Sequence, residues 1–190
     1  MMTNTNAIVP GSLAAVARSA GMSLAESFLN CEVICLIDQS GSMAAPDAPG
    51  GRTRFDAADD ELRRLQANHP GQVAVVSFSE HVQFCPSGVP DREGHTTDMV
   101  AALTFVRVAD GATRIVLISD GEPDEPRKTL ATAAKFTSPI HTIYIGPEDD
   151  HDGGRKFLQR LAAATGGQMF QSSAPGLLAS SVDELLLLPA

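Results

Sequence analysis

Four short runs of aliphatic, mostly β-branched residues constrain this chain more than anything else in it. They are Val33-Ile34-Cys35-Leu36-Ile37, Val73-Ala74-Val75-Val76, Ile115-Val116-Leu117-Ile118 and Ile140 to Ile145. The first three are continuous rather than alternating, which is the pattern of strands buried on both faces of a parallel sheet. The segments between them have helical spacing instead. Phe55, Ala58, Leu62 and Leu65 recur at steps of three and four, as do Met99, Ala102, Leu103 and Val106. Leu130, Ala133 and Ala134 continue the theme, followed by Phe157, Leu158, Leu161 and Ala162, with Gly166-Gly167 closing the last helix as a C-cap. This alternation predicts a doubly wound α/β fold with right-handed crossovers and helices on both faces of the sheet.

Two further segments complete the sheet. Val82 to Cys85 follows Phe78-Ser79-Glu80-His81 so closely that it reads as a hairpin partner, antiparallel at an edge. Gln168 to Gln171 is a last, sixth strand. The stretches 44–53 and 86–93 carry prolines and glycines and read as loops. Ser181-Val182-Asp183-Glu184 has the form of a capping box opening a final helix, with Leu185 and Leu186 inward. Ahead of the first strand, residues 1–30 form an extension. Ser12 and Gly21 bracket one helix there, and Ser23-Leu24-Ala25-Glu26 is a capping box starting a second, with Leu24, Phe28 and Leu29 as its apolar contacts. The pair reads as an accessory covering a sheet edge. As a DNA-binding helix-turn-helix it lacks the basic residues that hold phosphates.

Composition narrows the function classes. A chain of 190 residues, 43% hydrophobic and 19% charged, has enough apolar residues for one cored domain, residues 31–190, and is not a disordered one. The net charge is −9 with no Lys/Arg cluster, which argues against a nucleic-acid partner. Three cysteines, Cys31, Cys35 and Cys85, make neither a disulfide framework nor a zinc set, and read as small buried apolar groups. No run approaches the roughly 18 apolar residues of a membrane span, and the first twenty residues lack the basic start of a signal peptide. The expectation is a cytoplasmic protein.

In an open parallel sheet, ligands sit beyond the carboxyl ends of the strands. The first run delivers Asp38, Ser40 and Ser42 there, the run 115–118 delivers Ser119-Asp120-Gly121, and the loop before Met99 brings His95-Thr96-Thr97-Asp98. Carboxylates of Asp38 and Asp120 with hydroxyls of Ser40, Ser42 and Thr97 form an all-oxygen set suited to a hard cation such as Mg2+. Neutral hydroxyls leave such an ion poorly neutralised, so it seeks one more anionic oxygen, which a partner's Asp or Glu can supply. On an acidic protein the local field then becomes positive. Taken alone, Asp38 reads as a turn-capping residue and Thr97 as a helix N-cap; it is the five together that read as a metal site. Glu122, Asp124 and Glu125 flank Asp120 and read as a solvated acidic loop in which Asp124 or Glu125 caps the helix at Pro126, with a supporting or partner-contacting role beside Asp120 as the alternative. His95 is a rim histidine that either tunes the site or merely borders it. The acidic run 148–152 reads as a solvated loop, with a second cation site as the alternative.

These residues resemble a known family. Asp38-Gln39-Ser40-Gly41-Ser42 is similar to the DxSxS signature of von Willebrand factor A domains, Thr97-Asp98-Met99 with Ala102-Leu103 to their threonine segment, and Val116 to Asp124 to their final aspartate loop. The resemblance spans residues from about 31 to 188. It implies a mostly parallel, six-stranded Rossmann-like sheet with one antiparallel edge strand, and a metal ion-dependent adhesion site at Asp38, Ser40, Ser42, Thr97 and Asp120 holding Mg2+, or alternatively Mn2+ or Ca2+. Gly94-His95-Thr96-Thr97 departs from the family's habit of two glycines before the threonine, so Thr96 competes for the role. Thr97 is taken because its spacing to Met99 and Ala102-Leu103 fits. The resemblance further implies a non-catalytic module that binds a protein partner, in small bacterial members often within multi-protein complexes or beside AAA+ ATPases. The competing readings are a metal-dependent hydrolase such as a phosphatase, and a structural subunit with an empty site. No Gly-x-x-x-x-Gly-Lys loop or Gly-x-Ser-x-Gly elbow supports the first.

Overall fold

A computed structural model describes residues 8–48, 50–90, 94–147 and 153–171. The final helix expected near Ser181 and the acidic run 148–152 lie outside the described residues. In chain order the elements are α1 (Leu13–Ala20), α2 (Leu24–Leu29), β1 (Val33–Asp38), α3 (Arg54–Asn68), β2 (Val73–Phe78), β3 (Val82–Phe84), α4 (Met99–Val106), β4 (Arg114–Ser119), α5 (Pro126–Ala133), β5 (Ile140–Tyr144), α6 (Gly154–Thr165) and β6 (Met169–Gln171).

The sheet has the order β3-β2-β1-β4-β5-β6, parallel throughout except for β3, which runs antiparallel to β2 at the edge. Every residue of β1 and β2 is buried, as is β4 beyond Arg114, which is why those three runs are apolar without alternation; β5 is buried throughout as well, His141 and Thr142 included. Alternate residues nevertheless serve two cores. Ile34, Leu36, Ala74, Val76, Ile115 and Leu117 face α4 and α6, with Met99, Leu103, Leu158 and Leu161 packed on them. Val33, Cys35, Ile37, Val73, Val75 and Ile118 face α3, through Ala58, Leu62 and Leu65. Each fully buried Leu or Ile contributes roughly 1.5–3 kcal/mol relative to exposure, so the two cores carry most of the stability. The three cysteines are buried free thiols, and burial pushes Cys31 up to about 11 and Cys35 to about 12.

The extension is stitched to the domain. Ser12 accepts from Ala15 N at 3.3 Å, Gly21 closes α1, and the Ser23–Glu26 capping box opens α2. Leu13 joins the same core as α4, Val9 N donates to Ser87 O, and Phe28 meets Phe84 of the edge strand edge-on at 5.0 Å. Among the described residues no helix is long and apolar enough to cross a membrane.

Two capping expectations need correction. Asp98, not Thr97, caps α4, its carboxylate accepting from Ala101 N at 2.8 Å. Neither Asp124 nor Glu125 caps α5 with its side chain: Glu125 pairs with Lys128 instead, and Asp124 reaches back to Thr97.

Candidate metal centre

In the order β3-β2-β1-β4-β5-β6 the chain leaves β1 toward β2 on one side and returns to β4 on the other, so β1 and β4 flank the topological switch point. The crevice beyond their carboxyl ends belongs to no crossover, and polar residues collect there.

Asp38 ends β1 and is 0% exposed. A carboxylate so far from water needs donors, and it has two: Ser40 N reaches Oδ1 at 2.8 Å and the Ser119 hydroxyl reaches Oδ2 at 2.6 Å. Burial pushes its carboxyl up to about 7; the Ser119 hydroxyl works against that shift and the nearby Asp120 charge adds to it. Any further positive charge here favours the ionised form. After Asp38 the chain enters a 3-10 turn, Gly41–Ala44, anchored by the fully buried Met43. That turn brings the Ser40 and Ser42 hydroxyls to 3.1 Å. Two ligands at adjacent corners of a Mg2+ octahedron, with bonds of 2.0–2.1 Å, lie roughly 2.9 Å apart.

Thr97 is carried over the end of β1 by bonds to its two neighbours. On one side Asp98 N donates to Ser79 O just beyond β2. On the other, Thr97 N donates to the Asp124 carboxylate at 3.2 Å while Asp124 N donates to Thr97 O. A segment pinned to β2 and to the loop after β4 spans the strand between them. Thr97 is buried by this bridge, whereas Thr96 is only half-buried.

Asp120 follows β4, and its loop is fixed by Gly121 N donating to the Ser119 hydroxyl at 2.9 Å. Its Oδ2 accepts from Arg54 Nη1 at 2.8 Å; its Oδ1 is buried with no hydrogen-bond partner among the described residues. Arg54 is gripped from behind by Asp47, Nε to Oδ1 at 2.8 Å and Nη2 to Oδ2 at 2.6 Å. An orphaned carboxylate oxygen, a hydroxyl pair at octahedral spacing and an all-oxygen donor set fit a hard divalent ion.

The three loops singled out in the sequence therefore meet on one rim. Asp124 takes the supporting role, its alternative reading, by holding Thr97. Three further residues with supporting roles were not singled out: Ser119 ties Asp38 to the Asp120 loop, and Arg54 with Asp47 engages Asp120. Of these only Arg54 leaves a local signal: it is the first residue of α3, where a cation opposes the helix dipole and so demands acidic company. Gln39, uninformative in the sequence, is buried with both amide atoms unpartnered among the described residues, beside a groove of about 850 Å³ that Gly41, Ala44, Phe55 and Ser79 also line. His95 sits on that groove, exposed, its backbone N–H donating to Glu80.

No family model and no curated protein sequence matches the chain. Solved structures do. An aerotolerance-related membrane protein from Bacteroides fragilis superposes with a TM-score of 0.59 at 16% identity, over 81% of this chain and 97% of that one. A von Willebrand factor type A protein from Catenulispora acidiphila gives 0.58 at 21% identity, over 82% of this chain and 42% of that one. The manganese-loaded TRAP protein of Plasmodium vivax gives 0.50 at 17% identity, over 68% and 63%. With the strand order and the single antiparallel edge strand, these likenesses show that this chain has the von Willebrand factor A fold.

Proposed function

We propose that this chain is a divalent-metal-dependent protein-binding module that captures an acidic side chain of a partner, and that it is not an enzyme. The observation that carries the reading is the buried Asp120 Oδ1, unpartnered among the described residues, on a rim whose other donors include the neutral hydroxyls of Ser40, Ser42 and Thr97. Asp38, Ser40, Ser42, Thr97 and Asp120 would hold Mg2+, with Mn2+ or Ca2+ as alternatives. When bound, such an ion supplies a Lewis-acid position open to one more anionic oxygen from outside. Asp38 contributes charge with its orientation locked by Ser40 N and Ser119, so it does not have to reorganise. Asp124 does the same for Thr97 through the backbone. These residues hold charge and position, and none is assigned to proton transfer. The manganese in the Plasmodium vivax relative supports the choice of a hard cation. We place the module in the cytoplasm as an adaptor within a larger assembly, an AAA+ ATPase complex being the partner class that the family resemblance favours.

Calorimetric titration of Mg2+ into the intact chain tests the metal, and affinity capture from a native lysate with and without EDTA tests its role. Asp38→Ala should abolish both. Capture that survives Asp38→Ala and EDTA alike overturns the metal-dependent reading. Turnover of generic phosphoesters that requires Mg2+ and is lost in Asp120→Ala overturns the non-catalytic one.

A further inference from the structure

Arg54 is an awkward residue to place where it is. It opens α3, at the end where the helix dipole disfavours a cation. Its side chain is only 10% exposed, although arginine is rarely buried without strong reason. Two carboxylates compensate it, and they are not equivalent. Asp47, on the partly exposed loop ahead of the helix, takes Nε and Nη2 together in a fork. Asp120, 2% exposed in its side chain, receives only Nη1, through one oxygen, and its other oxygen stays unpaired. An ion pair built for stability alone would satisfy the more buried carboxylate first. Here the stronger grip is on the outer acid, and the inner one is left half free.

We propose that Arg54 is a resident cation of the metal site: Asp47 holds it beside Asp120, where it positions that carboxylate before an ion arrives and weakens the hold on the ion afterwards. The inference rests on the metal reading above. Asp38 and Asp120 bring two negative charges to the rim, and Arg54 cancels part of that charge at Asp120 itself. A divalent ion entering the site meets a carboxylate already shared with a guanidinium, and a like charge behind it. Arg54 thus limits how tightly the site binds metal while keeping Asp120 from facing Asp38 uncompensated in the metal-free protein. It is a positioning residue, not one that touches the captured ligand.

The test is Mg2+ titrated by calorimetry into the intact wild-type chain and into Arg54→Gln, Arg54→Lys and Arg52→Gln. Arg54→Gln should bind Mg2+ at least tenfold more tightly, Arg54→Lys within threefold of wild type, and Arg52→Gln, whose arginine pairs outward with Asp60, within twofold. In EDTA, Arg54→Gln should melt below wild type, and Mg2+ should raise its Tm by more than it raises that of wild type. A merely structural arginine predicts the opposite, weaker metal binding on its removal. Mg2+ binding in the wild type with equal or weaker binding in Arg54→Gln overturns the role of Arg54 and leaves the metal reading standing. No binding in either overturns both. Should Arg54→Gln fail to fold, Asp47→Asn decides: with the guanidinium left to Asp120, Mg2+ binding should weaken at least threefold, and unchanged or tighter binding overturns the proposal.

Discussion

Replacing Gly121 by alanine loads two separable costs onto the loop that carries Asp120. The first is conformational. Gly121 has φ +86, and a left-handed alanine costs about 1–2 kcal/mol. The second is a collision. A Cβ at Gly121 would lie 2.2 Å from Gly154 O, 2.5 Å from its C and 2.8 Å from its Cα, all backbone atoms, where ordinary contact begins at 3.4 Å. The Asp120 loop and the first turn of α6 would have to part by more than an ångström, an overpacking cost of about 1–3 kcal/mol. Gly166, the C-cap of α6, isolates the first cost, because it has φ +77 and nothing within 4 Å of a built Cβ. In a domain of this size roughly 2–4 °C of Tm is lost per kcal/mol. Gly166→Ala should therefore fall by about 4 °C and Gly121→Ala by about 10 °C, measured by calorimetry in EDTA so that no ion contributes. Because the loop that shifts bears Asp120, Gly121→Ala should also weaken Mg2+ binding more than tenfold while Gly166→Ala leaves it alone. Equal Tm losses in the two variants would refute the idea that the backbone contact with Gly154 locks the loop.

Ser119→Ala removes a buried hydroxyl that donates to Asp38 and accepts from Gly121 N. Leaving both partners unsatisfied should cost about 3 kcal/mol, read as a lowered urea midpoint with an unchanged slope in EDTA; a loss under 1 kcal/mol would show that the two loops do not depend on this tie. His141 is held below its usual range by burial and by the Arg114 charge, and its neutral Nδ1 accepts from Gln168 N at 3.2 Å. As pH falls, the unfolded chain takes up this proton before the folded one, so the stability involved is present above the ordinary histidine value of about 6.5 and is lost below it. His141→Gln should flatten the fall in urea midpoint between pH 8 and pH 5, and an unchanged profile would remove His141 as its source.

Much of this architecture was legible in the chain because it is written at short range. The runs at 33–37, 73–76 and 115–118 announce strands buried on both faces, and all three lie in the parallel part of the sheet. The caps of α1 and α2 depend on residues three apart, which is why Ser12 and the Ser23–Glu26 box were readable. The turn from Asp38 to Ser42 is equally local. Of the caps that failed, Asp124, a cap of α5 by position, is drawn away by a tertiary contact to Thr97, Glu125 pairs locally with Lys128, and Asp98 rather than Thr97 caps α4.

The couplings that turn these turns into one site join residues far apart in the chain, and no local pattern encodes them. Asp38 meets Ser119 across 81 positions and Arg54 meets Asp120 across 66. Each pairing exists because β1 lies beside β4 in a register that sets Ile37 against Ile118, and because α3 begins over the same crevice. Sequence determines which residues are polar at the strand ends. Only the packing of the sheet determines which of them share a dry crevice, where the Asp120 carboxylate meets a cation with one oxygen and keeps the other free.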